Sequence, residues 1–390
     1  MSHPDVVVVG AGVVGAACAY ALAARGVRVL VVDRAGPAAG TTAAGEGNVL
    51  VSDKAVGPEL DLAVASRREW PEVLARLAEL LGPRLADVEW EPKGGLVVGT
   101  TDPVALKGFA ATQCDAGVDA RVIEPADAWE LEPYLTRAVT VAVHYPEDAQ
   151  LQPVLAATAL LTAVRALGGE VRSGVTATGV RRTDGAVSGL ETGDGVVACG
   201  AVVNACGPWA GAFADAAGAP VSVLPRRGMI LVTAPLPEFV RHKVYDADYV
   251  GAVGSGDADL QTSTVVESTR AGTVLIGSSR ERIGFDDTVR VRVLRELARK
   301  AVALFPVLGD VPVMRAYGGF RPYAPDHLPV IGPDPRVPGL WHATGHEGAG
   351  IGLAASTGRL LAELYGDELP HVDPDPFRVD RPAVLEAVAS

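Results

Sequence analysis

Residues 5–33 read DVVVVGAGVVGAACAYALAARGVRVLVVD, and the fold turns on that stretch. Asp5–Val9 is a short, β-branched apolar run, the pattern of a strand buried on both faces. Gly10, Gly12 and Gly15 follow at GxGxxG spacing. Cys18–Ala24 is rich in Ala and Leu and predicts a helix, with Gly26 placed to end it. Val27–Val32 is a second buried strand, closed by Asp33. Strand, glycine turn, helix and strand within about 30 residues make a βαβ unit, the start of a parallel sheet. The 19 residues from Val6 to Ala24 also carry no charge and are long enough to cross a bilayer. The glycine spacing favours the βαβ unit instead, and the start Met-Ser-His-Pro-Asp lacks the Lys or Arg of a signal peptide.

Each glycine of such a unit has a physical task. Gly10 permits the tight turn, Gly12 lets a pyrophosphate approach the backbone, and Gly15 lets helix and strand pack closely. Val13 and Val14 open a helix whose N-terminal amides and dipole face the phosphates. Asp33 ends the next strand, where a carboxylate accepts hydrogen bonds from ribose hydroxyls and disfavours a 2′-phosphate. The stretch therefore predicts a dinucleotide site, with NAD and FAD both open.

Outward from this unit, Gly36–Gly47 (GPAAGTTAAGEG) has almost no large side chains and reads as a loop lying against something else. Trp70, Val73, Leu74, Leu77, Leu80 and Leu81 are spaced as one helix face, with Pro71 in its first turn. Val154–Leu167 reads as a helix followed by a strand at Glu170–Ser173, and Val196–Asn204 as a strand ending in ACGPW. Leu96–Val98, Val139–Val143 and Met229–Val232 are further strands. From about Pro225 to Pro312 strand-like pieces alternate around one amphipathic helix near Val291–Phe305, the texture of an antiparallel second domain. Short strands return at Leu328–Ile331 and Leu340–Thr344, and Gly348–Leu364 is a last helix with a glycine-rich first turn. The expectation is α/β, α+β overall: a Rossmann-like nucleotide domain from 1–90, 150–224 and 325–390, and a mostly antiparallel substrate domain from 91–149 and 225–324.

The formal net charge of −13 argues against nucleic acid and against docking on an anionic membrane. Cys18, Cys114, Cys199 and Cys206 are widely spaced, without a CxxC, so neither a metal site nor a disulfide framework is expected, and a cytoplasmic location is.

Three later features favour FAD over NAD. Gly40–Asn48 (GTTAAGEGN) can lie along a long, flat cofactor. Asn204–Trp209 (NACGPW) offers small residues that close over a nucleotide. Gly345–Gly352 (GHEGAGIG) runs into the last helix, whose N-terminus can stabilise negative charge on a reduced ring.

In order along the chain, VVVVGAGVVGAACAYALA, VVD, GTTAAGEGN, VVNACGPWA, RRGMILV, GGFRPYAPDHLPVIG and ATGHEGAGIGLAASTGRLLAEL resemble the FAD-dependent D-amino-acid oxidase superfamily. The resemblance is to the branch with glycine oxidase, sarcosine oxidase and the hydroxyproline or proline dehydrogenase β subunits. It implies FAD and the oxidation of an amine to an imine. It also implies cofactor contacts for Gly10, Gly12, Val13, Val14, Gly15, Asp33, Arg34, Thr41, Thr42, Gly45, Glu46, Gly47 and Asn48. Val175, Ala205, Gly207, Trp209 and Gly345, His346, Glu347, Gly348, Ala349, Gly350 and Ile351 complete that set. Arg321, in GGFRP, matches the arginine that binds the substrate carboxylate, a task a planar guanidinium performs bidentately. Its ordinary alternative is an ion-paired surface arginine.

Gly318–Gly332 lacks the cysteine that anchors flavin in sarcosine-type enzymes, so noncovalent FAD is expected. Tyr249 is the candidate for the active-site tyrosine, although Thr262 lies nearer the expected strand and a packed core tyrosine explains Tyr249 as well. Arg280 and Arg282 occupy the stretch where sarcosine-type enzymes carry an oxygen-activating lysine, which leaves the electron acceptor open. His346 and Glu347 are candidates to contact the flavin or a substrate amine, or simply to brace their loop. The expected reaction is hydride transfer from the α-carbon of a secondary amine, an N-substituted glycine or a cyclic imino acid. The alternatives are an NAD-dependent dehydrogenase and the flavin β subunit of a heteromeric complex, with a homo-oligomer or a flavin or iron–sulfur partner both open.

Overall fold

The computed structural model describes residues 3–101, 103–247, 251 and 255–385. Tyr249 lies outside them.

The βαβ unit forms at Val6–Val9, Val13–Ala23 and Val29–Asp33. Its strands join a six-stranded sheet whose spatial order is Val330–Pro333, Leu340–Thr344, Ala201–Asn204, Val6–Val9, Val29–Asp33, Glu170–Ser173. All neighbours run parallel except Val330–Pro333 against Leu340–Thr344. Val9 is level with Asn204 on one side and Val32 on the other, so Gly10, Ala205 and Asp33 leave the sheet together at its carboxyl edge. Ligands of open parallel sheets bind at that edge.

Alternation along the strands explains the layers. Val6, Val8, Val29 and Val31 face four helices, Val13–Ala23, Pro58–Leu81, Pro153–Ala166 and Gly350–Tyr365. Val7, Val9, Leu30 and Val32 face a three-stranded antiparallel meander, Ala177–Thr183, Ala186–Thr192 and Gly195–Ala198. Gly358 lets the last helix press on the first, because a Cβ there would lie 2.6 Å from the Ala17 carbonyl oxygen.

A second sheet has eight strands in the order Val313–Tyr323, Leu224–Thr233, Val274–Arg280, Gln261–Ser268, Lys243–Asp246, Gly95–Gly99, Val141–Tyr145, Arg121–Ile123. Its pairs are antiparallel except Lys243–Asp246 with Gly95–Gly99. Met229, Leu231 and Ile276 pack on the amphipathic helix Val291–Leu304. The alternate residues face the other way, toward the carboxyl edge of the first sheet. The chain is thus a mixed α/β protein with one Rossmann-like parallel sheet and one mostly antiparallel sheet.

Three local expectations need correction. The first long helix begins at Pro58, so Pro71 lies inside it. Leu60, Ala63, Ser66, Trp70, Val73 and Leu77 form its buried face, and the polar Ser66 hid the continuation. Val196–Asn204 is two strands in two sheets, broken at Cys199 and Gly200. Within the small-residue loop, Thr41–Ala44 makes a 3₁₀ turn and Asn48–Val49 a short strand paired with Ala149–Gln150. The uncharged stretch 6–24, as its glycine spacing predicts, is strand, turn and helix, and no helix among the described residues is long and apolar enough to cross a membrane.

Candidate active site

A cleft of about 570 Å³ runs between the two sheets. Gly10, Gly12, Val13, Val14, Gly15, Asp33 and Arg34 line its start, and Val175, Ala205, Gly207 and Trp209 its flank. Thr41, Thr42, Gly45, Glu46 and Asn48 form its floor. At the far end stand Gly228, Gly319, Arg321, His346, Glu347, Gly348, Gly350 and Ile351. Residues separated by hundreds of positions therefore share one wall.

The glycine turn is built for a close approach. Gly10 has φ +115°, and a Cβ there would lie 2.8 Å from the Ala205 carbonyl carbon. At Gly15 a Cβ would press on the Gly10 carbonyl. Val13 N–H donates to Thr42 Oγ1 at 3.0 Å, so the floor loop caps the helix while the Val14 and Gly15 amides have no partner within their own helix. Asp33 accepts from the Ala11 and Ala35 amides, both at 2.8 Å, which aims its carboxylate at the turn. Thr41 Oγ1 donates to the Phe320 carbonyl at 2.6 Å, tying the floor to the second sheet. The Arg34 guanidinium sits 4.0 Å from the centre of the Trp209 ring, and Phe285 stacks on that ring at 5.2 Å. Val175 donates its amide to the Asp33 carbonyl at 2.9 Å.

Three expected contacts fall behind the wall. Gly47 backs onto Leu151, Gly345 turns at φ +77° against Ala324 and Val330, and Ala349 caps the last helix with its amide on the His346 carbonyl. Sequence proximity to a loop could not tell which of its residues turn inward.

A buried charge cluster supports the floor. Lys243 donates to Asn48 Oδ1 and, at 3.1 Å, to Glu267 Oε2; Glu46 Oε2 lies 4.0 Å away. Burial pushes the Glu267 carboxyl up and Lys243 opposes it. Glu46 Oε1 is buried without a hydrogen-bond partner among the described residues, on a residue that lines the cleft.

At the far end, Arg321 lies over Gly228. A Cβ there would lie 2.7 Å from both Cζ and Nη2 of Arg321, so the glycine makes room for the guanidinium. Arg321 Nη1 donates to the Ser279 carbonyl at 2.9 Å, and its Nε would be 3.5 Å from a Cβ on Gly348. Arg226, opposite Arg321 in the strand register, is fully buried and donates to Glu347 and, at 2.8 Å, to the Ser255 carbonyl. Glu347 has φ +47° and also meets His327 Nδ1 at 3.0 Å. Burial opposes its ionisation, but His327 and the Arg226 and Arg280 guanidiniums hold its carboxyl below the usual range. His346 Nε2 lies 3.0 Å from Thr357 Oγ1, and burial pushes the imidazole down to about 3, so it is a neutral wall group. Arg226, Gly228 and His327 were not singled out from the sequence. A charge pair inside the apolar run LPRRGMILVT was the one available sign.

Such a cleft, with a phosphate-binding turn at one end and a guanidinium at the other, defines a two-sheet dinucleotide oxidoreductase. Residues 5–364 match the family described as FAD dependent oxidoreductase, DAO, and the chain belongs to it. Its cofactor is FAD, and the NAD alternative falls. The hydrogen cyanide synthase subunit HcnC of Pseudomonas aeruginosa is 29% identical over 97% of this chain and 96% of its own length. The bifunctional protein ThiO/ThiG of a Nostoc species is 30% identical over 93% of this chain, which spans about half (53%) of that longer protein. The crystal structure of glycine oxidase from Geobacillus kaustophilus superposes with a TM-score of 0.87 at 27% identity, covering 97% of this chain and 99% of that one. The residues present fit FAD: a turn that excludes side chains, helix amides facing the cleft, and an aimed carboxylate at the ribose position.

Proposed function

We propose that the chain oxidises the C–N bond of an amino acid to an imine, the substrate being a secondary amine such as an N-substituted glycine or hydroxyproline. Bound FAD supplies the two-electron acceptor. Arg321 carries the reading: its guanidinium is seated over Gly228 and lines the cleft end remote from the phosphate turn, and a planar guanidinium at that place suits a carboxylate, whose binding would fix the α-carbon. The cofactor contacts are those cleft-lining residues of the set above, with Thr42 securing the helix and Glu46 and Asn48 braced by Lys243. Tyr249 stays a candidate for the substrate end, and His346 serves as wall rather than catalyst. Noncovalent FAD is in keeping with the lack of a cysteine in Gly318–Gly332 and with the buried, cleft-lining Cys206, whose thiol burial pushes up to about 12.

The strand membership of each sheet supports the division into an FAD-binding unit (1–90, 150–224, 325–390) and a substrate unit (91–149, 225–324). Four unpaired cysteines support a cytoplasmic location. A second reading, a flavin subunit passing electrons to an acceptor other than oxygen, draws on the HcnC relative, itself named a subunit.

Anaerobic bleaching of the yellow protein by a panel of amino acids, N-alkyl glycines and imino acids tests the reaction. Arg321→Ala should weaken kcat/KM for the best of them by roughly 10–150-fold, the worth of hydrogen bonds to a charged group, and leave FAD bound. Failure of the whole panel to bleach the protein would overturn the proposal. Repeating the assay in air, with peroxide measured, separates the two acceptor readings.

A further inference from the structure

We propose that Phe285 is a cofactor-retaining residue: reaching over from the second sheet, it holds the Trp209 ring against the cleft, and FAD enters or leaves only when that ring pair parts. Phe285 is not among the residues that line the cleft, so it acts through Trp209, which does. The proposal rests on FAD as the cofactor and is independent of which amine is oxidised.

The loop that carries Phe285 joins the strand Val274–Arg280 to the helix Val291–Leu304. It is braced from within and from below. Arg290 bonds Glu281 at 2.7 Å and Asp286 at 3.0 Å, and the Thr288 amide donates to Asp286 Oδ1 at 2.9 Å. The Arg227 amide donates to the Glu281 carbonyl at 2.8 Å, the Glu281 amide returns a bond at 3.1 Å, and the Arg227 guanidinium donates to the Thr288 carbonyl. Gly284, at φ +65°, turns the chain just before Phe285. So fixed a loop presents its tip in one place. Phe285 is nevertheless 45% exposed, so burial within its own sheet does not account for a large apolar side chain at that tip.

What the tip meets is the wall of the cleft. The Phe285 ring lies parallel to the Trp209 indole, 5.2 Å between centres and 5° between planes, and meets the Phe320 ring at 5.3 Å and 65°. Trp209 also carries the Arg34 guanidinium at 4.0 Å, and Gly40 leaves room for it, since a Cβ there would lie 3.4 Å from Trp209 Cζ3. Arg34 and Gly40 line the cleft too, beside Asp33 at the ribose position and Thr42 at the helix N-terminus. The stack therefore joins a wall of the first sheet to the second sheet. The other ties across the cleft, Lys243 to Asn48 and Arg226 to Glu347, involve buried ions, and parting them would strand charge away from water. The ring pair is apolar and reaches solvent, so it is the tie that can part at the cost of one aromatic contact. A long cofactor that must pass between the two sheets leaves by that route.

Release of FAD from the loaded protein tests this directly. With 5-deaza-FAD in excess to block rebinding, the FAD that stays with the protein is followed by gel filtration at timed intervals. Phe285→Ala, at an exposed loop tip, should release FAD roughly tenfold faster than wild type, the order an aromatic pair is worth once its buried area is counted. Phe285→Tyr keeps the ring and should release at the wild-type rate. In a Trp209→Leu background the Phe285→Ala change should alter release less than twofold, because the partner ring is already gone. Urea unfolding of the apoproteins is measured alongside. Release within twofold of wild type in Phe285→Ala, whatever its stability, would make Phe285 a packing residue alone and overturn the proposal. So would a Phe285→Tyr protein as leaky as Phe285→Ala, or a tenfold effect that persists without the Trp209 ring.

Discussion

Gly228→Ala is a one-methyl test of where Arg321 sits. Gly228 lies in the long strand Leu224–Thr233, opposite Gly319, with a backbone that any residue can adopt. Alanine in an extended strand is if anything favoured over glycine, by about 0.5–1 kcal/mol. The added Cβ, however, would lie 2.7 Å from Cζ and Nη2 of Arg321. Carbon contacts are comfortable near 3.5–4.0 Å, so the guanidinium has to retreat by about 1 Å. It is the far end of a flexible side chain and can do so, at the loss of its bond to the Ser279 carbonyl. A misplacement of that size costs on the order of 10²-fold in a positioned reaction, about 2.7 kcal/mol of transition-state stabilisation. The variant should therefore fold, stay yellow and lose kcat/KM for carboxylate-bearing amines by roughly 10²-fold. Anaerobic stopped-flow bleaching gives the rate, and the ratio of flavin to protein absorbance gives cofactor content. Kinetics within twofold of wild type, with full FAD, would show that the Arg321 guanidinium does not hold the substrate.

Three other perturbations separate cofactor, fold and pH. Gly12→Val places a branched side chain where the pyrophosphate approaches and beside Thr42 Oγ1, already 3.2 Å from a Cβ there, so the purified variant should lack the flavin absorbance. Thr42→Val removes the acceptor of the buried Val13 N–H and should cost about 1–3 kcal/mol in denaturant unfolding of the apoprotein. His346 is held near 3 by burial, whereas an unfolded histidine titrates near 6.5, so the unfolded chain binds the extra proton between these values. Its contribution is full above about pH 6.5 and is lost as pH falls toward 3; His346→Gln should flatten the fall of apoprotein Tm across that window.

The elements legible in the sequence are those whose pattern is local. Val6–Val9, Gly10–Gly15, Val29–Asp33 and the last helix are set by short-range periodicity and by glycines with a backbone task. Local pattern failed where tertiary contacts overrode it. Ser66 is buried because its hydroxyl donates to the Gly352 carbonyl at 2.5 Å, so a polar residue sits on the inner face of the long helix. The run Val196–Asn204 carries no polar side chain before Asn204, and no periodicity could show that its two halves enter different sheets.

The far end of the cleft was the least legible part for a related reason: its chemistry is created by register. Arg226 and Arg321 are 95 positions apart, yet pairing of two strands sets them directly opposite each other. Like charges so placed repel, and the pair is tolerated here because Glu347, brought in from a third segment, accepts from one of them. Glu347 in turn can do this only at φ +47°, a conformation that neither its residue type nor its neighbours announce. In a chain of net charge −13 the cations that matter are thus a local concentration, invisible to composition and assembled by strand pairing. The same assembly makes the cleft end vulnerable to changes that alter no charge at all, as at Gly228, where one methyl group would displace the Arg321 guanidinium proposed to hold the substrate.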